Sequence, residues 1–212
     1  MMEETLILIT PPSTEPVSLP EAQRQCSATD PADDTFLNGL ISTARDNAER
    51  FLRRAILSQT YKLFLHEFPC ADASNRHGSI YLPAPPLQSV THVKYYNTAG
   101  TLTTLVVDTD YVVDYGGELG GRIHLPYNVS WPTVQDRANA VEIQFVAGWK
   151  NTVPESTTTI FADTGVPRGI INGILLDVQL LYQRDQLAPE EARKLEDSRL
   201  ALLCPWRVLS MP

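Results

Sequence analysis

The order in which the hydrophobic period changes constrains this chain of 212 residues more than any motif. Apolar positions recur every three or four residues up to residue 55, every second residue from Gln59, and every three or four again from Pro167. The first helical stretch opens on Ser18 and Glu21, which have capping-box spacing, with Leu19-Pro20 in the first turn, so a short helix is expected over 19–26. A second begins near Asp33, after Asp30-Pro31. Its apolar face is Leu37, Leu40, Ile41, Ala44, Ala48, Phe51, Leu52 and Ala55, leaving Arg45, Asp46, Glu49 and Arg53 on the wetter side. Arg50, Arg53 and Arg54 stand near its C-terminus, where positive charge complements the helix dipole.

The middle of the chain reads as short strands. Tyr61, Leu63 and Leu65 alternate with Lys62, Phe64 and His66, and further strands are expected at 79–83, 89–96, 101–107, 110–114, 121–125 and 141–147. Turns fall at Asn97–Gly100 and Gly116–Gly121. Pro83, Pro85 and Pro86 lack the N–H groups that an interior ladder needs, so they mark a strand end or an exposed connection. No crossover helix separates these strands, which favours an antiparallel module, a small sandwich or barrel, over a parallel α/β sheet.

The expected class is therefore α+β, a helical body carrying an inserted antiparallel β-rich module. Its expected parts are an extended arm over 1–17, helical segments over 18–58 and 167–203, the β-module over 59–149, a polar loop over 150–166, and an apolar tail over 204–212. In the last helical segment Ile170, Ile171, Ile174, Leu175, Val178, Leu181 and Tyr182 form a broad apolar face, and Gly169 and Gly173 permit close helix packing. A final helix over Pro189–Leu203 has Glu190 and Glu191 at its start and Pro205 beyond its end. The main core is expected at Leu37, Leu40, Ile41, Phe51, Leu63, Ile143, Phe145, Ile171, Leu175 and Val178.

The net charge of -8 argues against a protein that coats nucleic acid through a broad basic surface, but it does not exclude DNA passing nearby, because an acidic wall can avoid trapping a polyanion. Cys26, Cys70 and Cys204 are far apart and odd in number, so buried reduced thiols are expected. No apolar run is long enough to span a bilayer, and Leu6–Ile9 is too short for a signal-peptide core.

Catalytic, cofactor-binding and metal-ligating residues are expected to be absent. His66, Cys70, Asp72 and His77 carry donor atoms without zinc-site spacing, and no HExxH occurs. Asp108, Asp110 and Asp114 fit a solvated edge and turn better than a hydrolytic carboxylate pair. Gly116, Gly117, Gly120 and Gly121 lack the following GK[ST] of a P-loop, and Ser18, Ser79 and Ser130 lack a nucleophile elbow. Tyr95, Tyr96, Tyr111, Tyr115, Tyr127 and Trp131 suit either a β-core or a carbohydrate- or protein-binding surface.

Several segments follow one another in a telling order: Asp34-Thr-Phe-Leu-Asn-Gly-Leu-Ile-Ser-Thr-Ala-Arg45, Ala48-Glu-Arg-Phe-Leu52, Ile56–Tyr61, Leu82-Pro-Ala-Pro-Pro-Leu-Gln-Ser-Val90 and Tyr111-Val-Val-Asp114. Gly121-Arg-Ile-His-Leu-Pro126, Trp131-Pro132, Arg137–Gly148, Val153-Pro154 and Pro205-Trp-Arg-Val208 continue it. Over about residues 18–209 the chain resembles the bacteriophage head–tail connector (adaptor) family, which includes adaptors of gene-transfer agents. It departs from the shorter all-helical connectors by its large β-region. The resemblance implies a nonenzymatic subunit without cofactor, commonly in a dodecameric ring beneath the portal protein, joined to neck or tail proteins. DNA then passes through the channel without sequence-specific binding, no membrane is involved, and the protein sits at the head–tail junction of a virion assembled in the host cytoplasm. Trp206, Val208 and Leu209, apolar near the chain end, are expected either to pack back as a core cap or to form an assembly interface.

Overall fold

Two distant stretches of the chain supply the helical unit. The computed structural model describes residues 4–70, 78–117, 120–150 and 165–209, and these divide into a helical unit, residues 12–57 with 149–150 and 165–209, and a β unit, the described residues of 4–11 and 58–148. In the helical unit α1 spans Leu19–Cys26, α2 Asp34–Leu52, α3 Arg168–Tyr182 and α4 Pro189–Leu203. At the start of α1 the Glu21 carboxylate accepts from the Ser18 N–H at 2.9 Å and its hydroxyl at 2.7 Å. The capping box thus satisfies an otherwise unpaired donor.

The core of this unit follows the three-and-four spacing. Leu37, Ile41, Ala44, Ala48 and Leu52 of α2 are buried with Ile170, Ile171, Ile174 and Val178 of α3, Ala22 and Cys26 of α1, and Leu203 of α4. Leu40, Phe51 and Leu175, expected in the same core, are only partly buried at its margin. Arg45 departs from expectation more sharply. Instead of facing water it is 8% exposed, held by Glu15 at 2.8 Å, Asp46 at 2.8 Å and Glu49 at 3.3 Å. A charge is tolerated there because its hydrogen-bonding capacity is met by carboxylates. A second polar group, Asp177, ties three helices together by accepting from Asn47 of α2 at 3.2 Å and Arg199 of α4 at 2.9 Å.

The β unit holds β1 (Glu4–Thr10), β2 (Gln59–Leu65), β3 (Ile80–Tyr81), β4 (Leu87–Tyr96), β5 (Leu102–Leu105), β6 (Val112–Asp114), β7 (Arg122–His124) and β8 (Val141–Ala147). A five-stranded sheet has the order β1-β2-β8-β4-β5 and a three-stranded sheet the order β3-β7-β6, antiparallel throughout. β8 is the central strand, and its Val141, Ile143, Phe145 and Ala147 are fully buried. Leu63 of β2 and Val93 of β4 flank Ile143 in register, so one apolar row crosses three strands. Gly121 adjoins Leu87: a Cβ at this position would lie 2.1 Å from Leu87 Cδ2.

The expected sandwich or barrel does not form. The strands of the smaller sheet are only two or three residues long, too short to close a second full layer, and among the described residues β1 and β5 are the edge strands of the larger one. The arm expected over 1–17 differs as well. Over Glu4–Thr10 it is a strand paired with β2, with a register shift between Leu8 and Thr10. Of the loop expected at 150–166, residues 151–164 lie outside the described residues, as do Asp72, His77 and Glu118-Leu119.

Close packing of α3 depends on its two glycines, as the spacing suggested. A Cβ on Gly173 would stand 2.6 Å from Leu203 Cδ2, and one on Gly169 would stand 3.1 Å from Trp206 Nε1. Gly173→Ala therefore sets two effects against each other. Helix propensity favours alanine by about 1 kcal/mol, whereas overpacking in a fixed core costs about 1–3 kcal/mol. The expected outcome is a lower urea midpoint at unchanged slope; a raised midpoint would show that Leu203 can withdraw freely.

Candidate assembly surfaces

The apolar end of the chain is largely committed to its own unit. After α4 a single 3-10 turn spans Cys204–Trp206. The buried Arg54 guanidinium donates from Nε to the Trp206 carbonyl at 2.5 Å, and the Val208 N–H donates to the Leu52 carbonyl at 3.0 Å. Arg207 lies over the Phe51 ring at 4.9 Å. Val208 is buried and Trp206 packs against the helical core, whereas Leu209 is 80% exposed. Of these three residues, Val208 is buried, Trp206 is partly buried against the core, and only Leu209 faces outward. Arg54, read from sequence as a dipole-complementing surface charge, is a buried fastener for this tail.

In the β unit the acidic residues build turns. Asp110 Oδ2 accepts from the Val106 N–H at 2.7 Å and Asp114 Oδ1 from the Gly116 N–H at 3.0 Å, while Asp108 is itself left-handed at φ 62. These local bonds account for Asp110 and Asp114, and a turn conformation for Asp108, without chemistry. His66 lies 3.8 Å from Asp136 on the surface. Among the described residues, no three His, Cys, Asp or Glu side chains converge on a metal position.

The aromatic residues do not form one platform. Tyr111 is buried, Tyr95 meets Phe68 edge-on at 5.9 Å, and Arg137 covers Tyr96 at 3.9 Å. Trp131 stacks on Phe68 at 4.6 Å and donates to the Gly78 carbonyl at 2.7 Å. Both border a concavity of about 840 Å³ that also takes in Tyr127, a residue 92% exposed. The cysteines are divided too: Cys26 is buried, but Cys70 and Cys204 are exposed, against the expectation of three buried thiols. Burial pushes the Cys26 thiol up to about 11, leaving it protonated and inert at neutral pH.

The most exposed aliphatic side chains of the β unit gather at two places. Leu6, Ile7, Leu8 and Ile9, consecutive in β1, are 41–47% exposed. At the other end of the larger sheet Leu102, Val106 and Val107 are 46–57% exposed. The β1 surface escapes a sequence reading based on alternation, because four successive aliphatics show no period. The signal present was a Thr-bounded, partly β-branched run.

With this geometry in place, the fold can be compared with known ones. It matches a chain in the neck of an empty gene-transfer-agent (GTA) particle computed with C6 symmetry, with TM-score 0.70 and 18% identity, covering 98% of this chain and 97% of that one. A chain in the virion of the native gene transfer agent particle matches with TM-score 0.69 and 19% identity, over 98% and 97%. A chain in the neck of the native GTA particle computed with C12 symmetry matches with TM-score 0.55 and 17% identity, over 94% and 96%. No protein-family model and no curated protein matches the sequence. What is shared at these identities is the fold, helical and β units alike.

One polar cluster on the larger sheet makes its stability depend on pH. Glu142 of β8 sits between Lys62 of β2 at 2.9 Å and His92 of β4 at 3.0 Å. Burial alone would raise the Glu142 carboxyl, but the hydrogen bonds and charges of Lys62 and His92 outweigh it and hold the carboxyl below its ordinary 4.5. A carboxylate depressed in the folded state contributes stability above its unfolded pKa and loses it as pH falls through the folded value. Glu142→Gln is thus expected to cost about 0.5–1 kcal/mol at pH 7, with the difference from wild type shrinking below pH 4.5. Urea melts of both proteins from pH 7 to 3 check this; a difference that stays constant would contradict it.

Proposed function

We propose that this protein is a structural head–tail connector subunit of a tailed phage or phage-like particle. The observation that carries the reading is the match in fold along nearly the whole of both chains, including the inserted β unit, to chains of GTA necks and virions. In this reading copies form a closed twelve-fold ring beneath the portal protein and link it to neck or tail proteins. It is nonenzymatic and needs no cofactor. The turn-building roles of Asp108, Asp110 and Asp114 support that part. The acidic net charge suits a channel through which DNA passes without being trapped. The protein's place is then the head–tail junction of the virion, after assembly in the host cytoplasm.

Repeated heterologous contacts close on themselves in a ring and leave no sticky end, which is why a cyclic assembly fits a subunit of this kind. Leu209 is the residue proposed to reach a partner, because it stands exposed immediately after the buried Val208 that fixes where the tail emerges. Purified chain mixed with rings of the cognate portal protein is expected to comigrate with them and to add a fixed number of copies by native mass spectrometry. Leu209→Asp should weaken that association about tenfold or more if the leucine enters an apolar pocket, while leaving the melting temperature unchanged. A chain that binds neither portal nor neck nor tail proteins under assembly conditions refutes the connector reading; unchanged binding of the variant removes Leu209 alone.

A further inference from the structure

We infer that neighbouring copies of this chain join edge to edge through the larger sheet, β1 of one copy against the β5 edge of the next. This deepens the ring reading and rests on it. β1 is seven residues long and, among the described residues, pairs with β2 alone. All its residues are exposed, including Leu6, Ile7, Leu8 and Ile9. Edge strands of soluble proteins are ordinarily blunted by lysine, proline, shortness or a covering element. β1 has one bulge near its end but no charge between Thr5 and Thr10.

The identity of the occupant comes from the opposite edge. β5 ends the same sheet, and the segment Leu102–Val107 also carries no charge. It exposes Leu102 within β5, and Val106 and Val107 just beyond the end of that strand, where Val107 bridges Tyr111. One uncovered edge leaves its partner undefined, but a chain with uncovered apolar edges at both ends of one sheet is complementary to itself. A two-fold contact of β1 with β1 would leave the β5 edge bare, whereas a head-to-tail contact covers both at once. Five strands in antiparallel alternation leave β1 and β5 running in the same direction. A rotation that continues the sheet from one copy to the next therefore brings them together in parallel. Such a heterologous contact either closes into a ring or propagates.

Cysteine cross-linking tests this with the full chain. In a Cys70→Ser, Cys204→Ser background, Ile7→Cys and Thr104→Cys are introduced singly and together. Each protein is treated with a short bis-maleimide, alone at rising concentration and with the cognate portal, after circular dichroism confirms folding. The expected result is a ladder of dimers, trimers and higher species from the double variant only, abolished by adding Leu8→Lys. Dimers from Ile7→Cys alone would establish the two-fold contact and overturn the proposal. Rings present by native mass without a ladder would overturn it while leaving the ring reading intact. A chain that stays monomeric under both conditions removes both.

Discussion

The helical unit exists because the chain returns, after a long excursion, to the point it left. Leu57 and Trp149 form a parallel bridge, and the Trp149 N–H donates to the Ile56 carbonyl at 3.3 Å. Arg54 lies 5.9 Å from the centre of the Trp149 ring. With entry and exit fastened side by side, α1 and α2 can share a core with α3 and α4 although the β unit separates them in sequence. An insertion whose ends adjoin imposes little strain on its host. The closure entropy of such a long loop also grows only slowly with its length. Without that fastening, Ile170, Ile171, Ile174 and Val178 would have no fixed partner for their apolar face.

Within the helical unit, the same logic of close approach carries from core to chain end. Gly173 lets Leu203 of α4 lie against α3, and Gly169 makes room for Trp206. Arg54 then holds the tail by donating its side-chain Nε–H to the Trp206 carbonyl, and the Leu52 carbonyl accepts from the Val208 N–H. The tail is consequently both part of the core and the base from which Leu209 projects. A change at either glycine is felt at the chain end, which links packing in α3 to the surface proposed for assembly.

Much of this architecture was legible because it depends on local chemistry. The capping box fixed the start of α1, the spacing of Leu37, Ile41, Ala44 and Ala48 identified the buried face of α2, and alternation located β2 and β8. Pro83, Pro85 and Pro86 marked the connection between β3 and β4. What could not be read depends on partners distant in sequence. Arg45 looked like a surface charge because Glu15 lies thirty positions earlier, in a stretch with no periodic signal. β1 looked like an arm because its pairing partner, β2, begins at Gln59. Open sheets were mistaken for a sandwich or barrel because closure depends on strand length and edge pairing, which hydrophobic alternation does not report. At the proposed interface, the apolar character of Trp206, Val208 and Leu209 was visible, but not which of them the chain would bury itself.

The central claim is a place in a particle, and imaging tests it most directly. Particles from cells producing this chain can be examined by electron cryomicroscopy, with the vertex that bears the tail reconstructed under cyclic symmetry. The account predicts a closed ring at the head–tail junction into which the helical and β units both fit, with successive copies meeting through their β units. Density for this fold at the distal tail or fibres, or particles whose neck lacks the chain altogether, would contradict it.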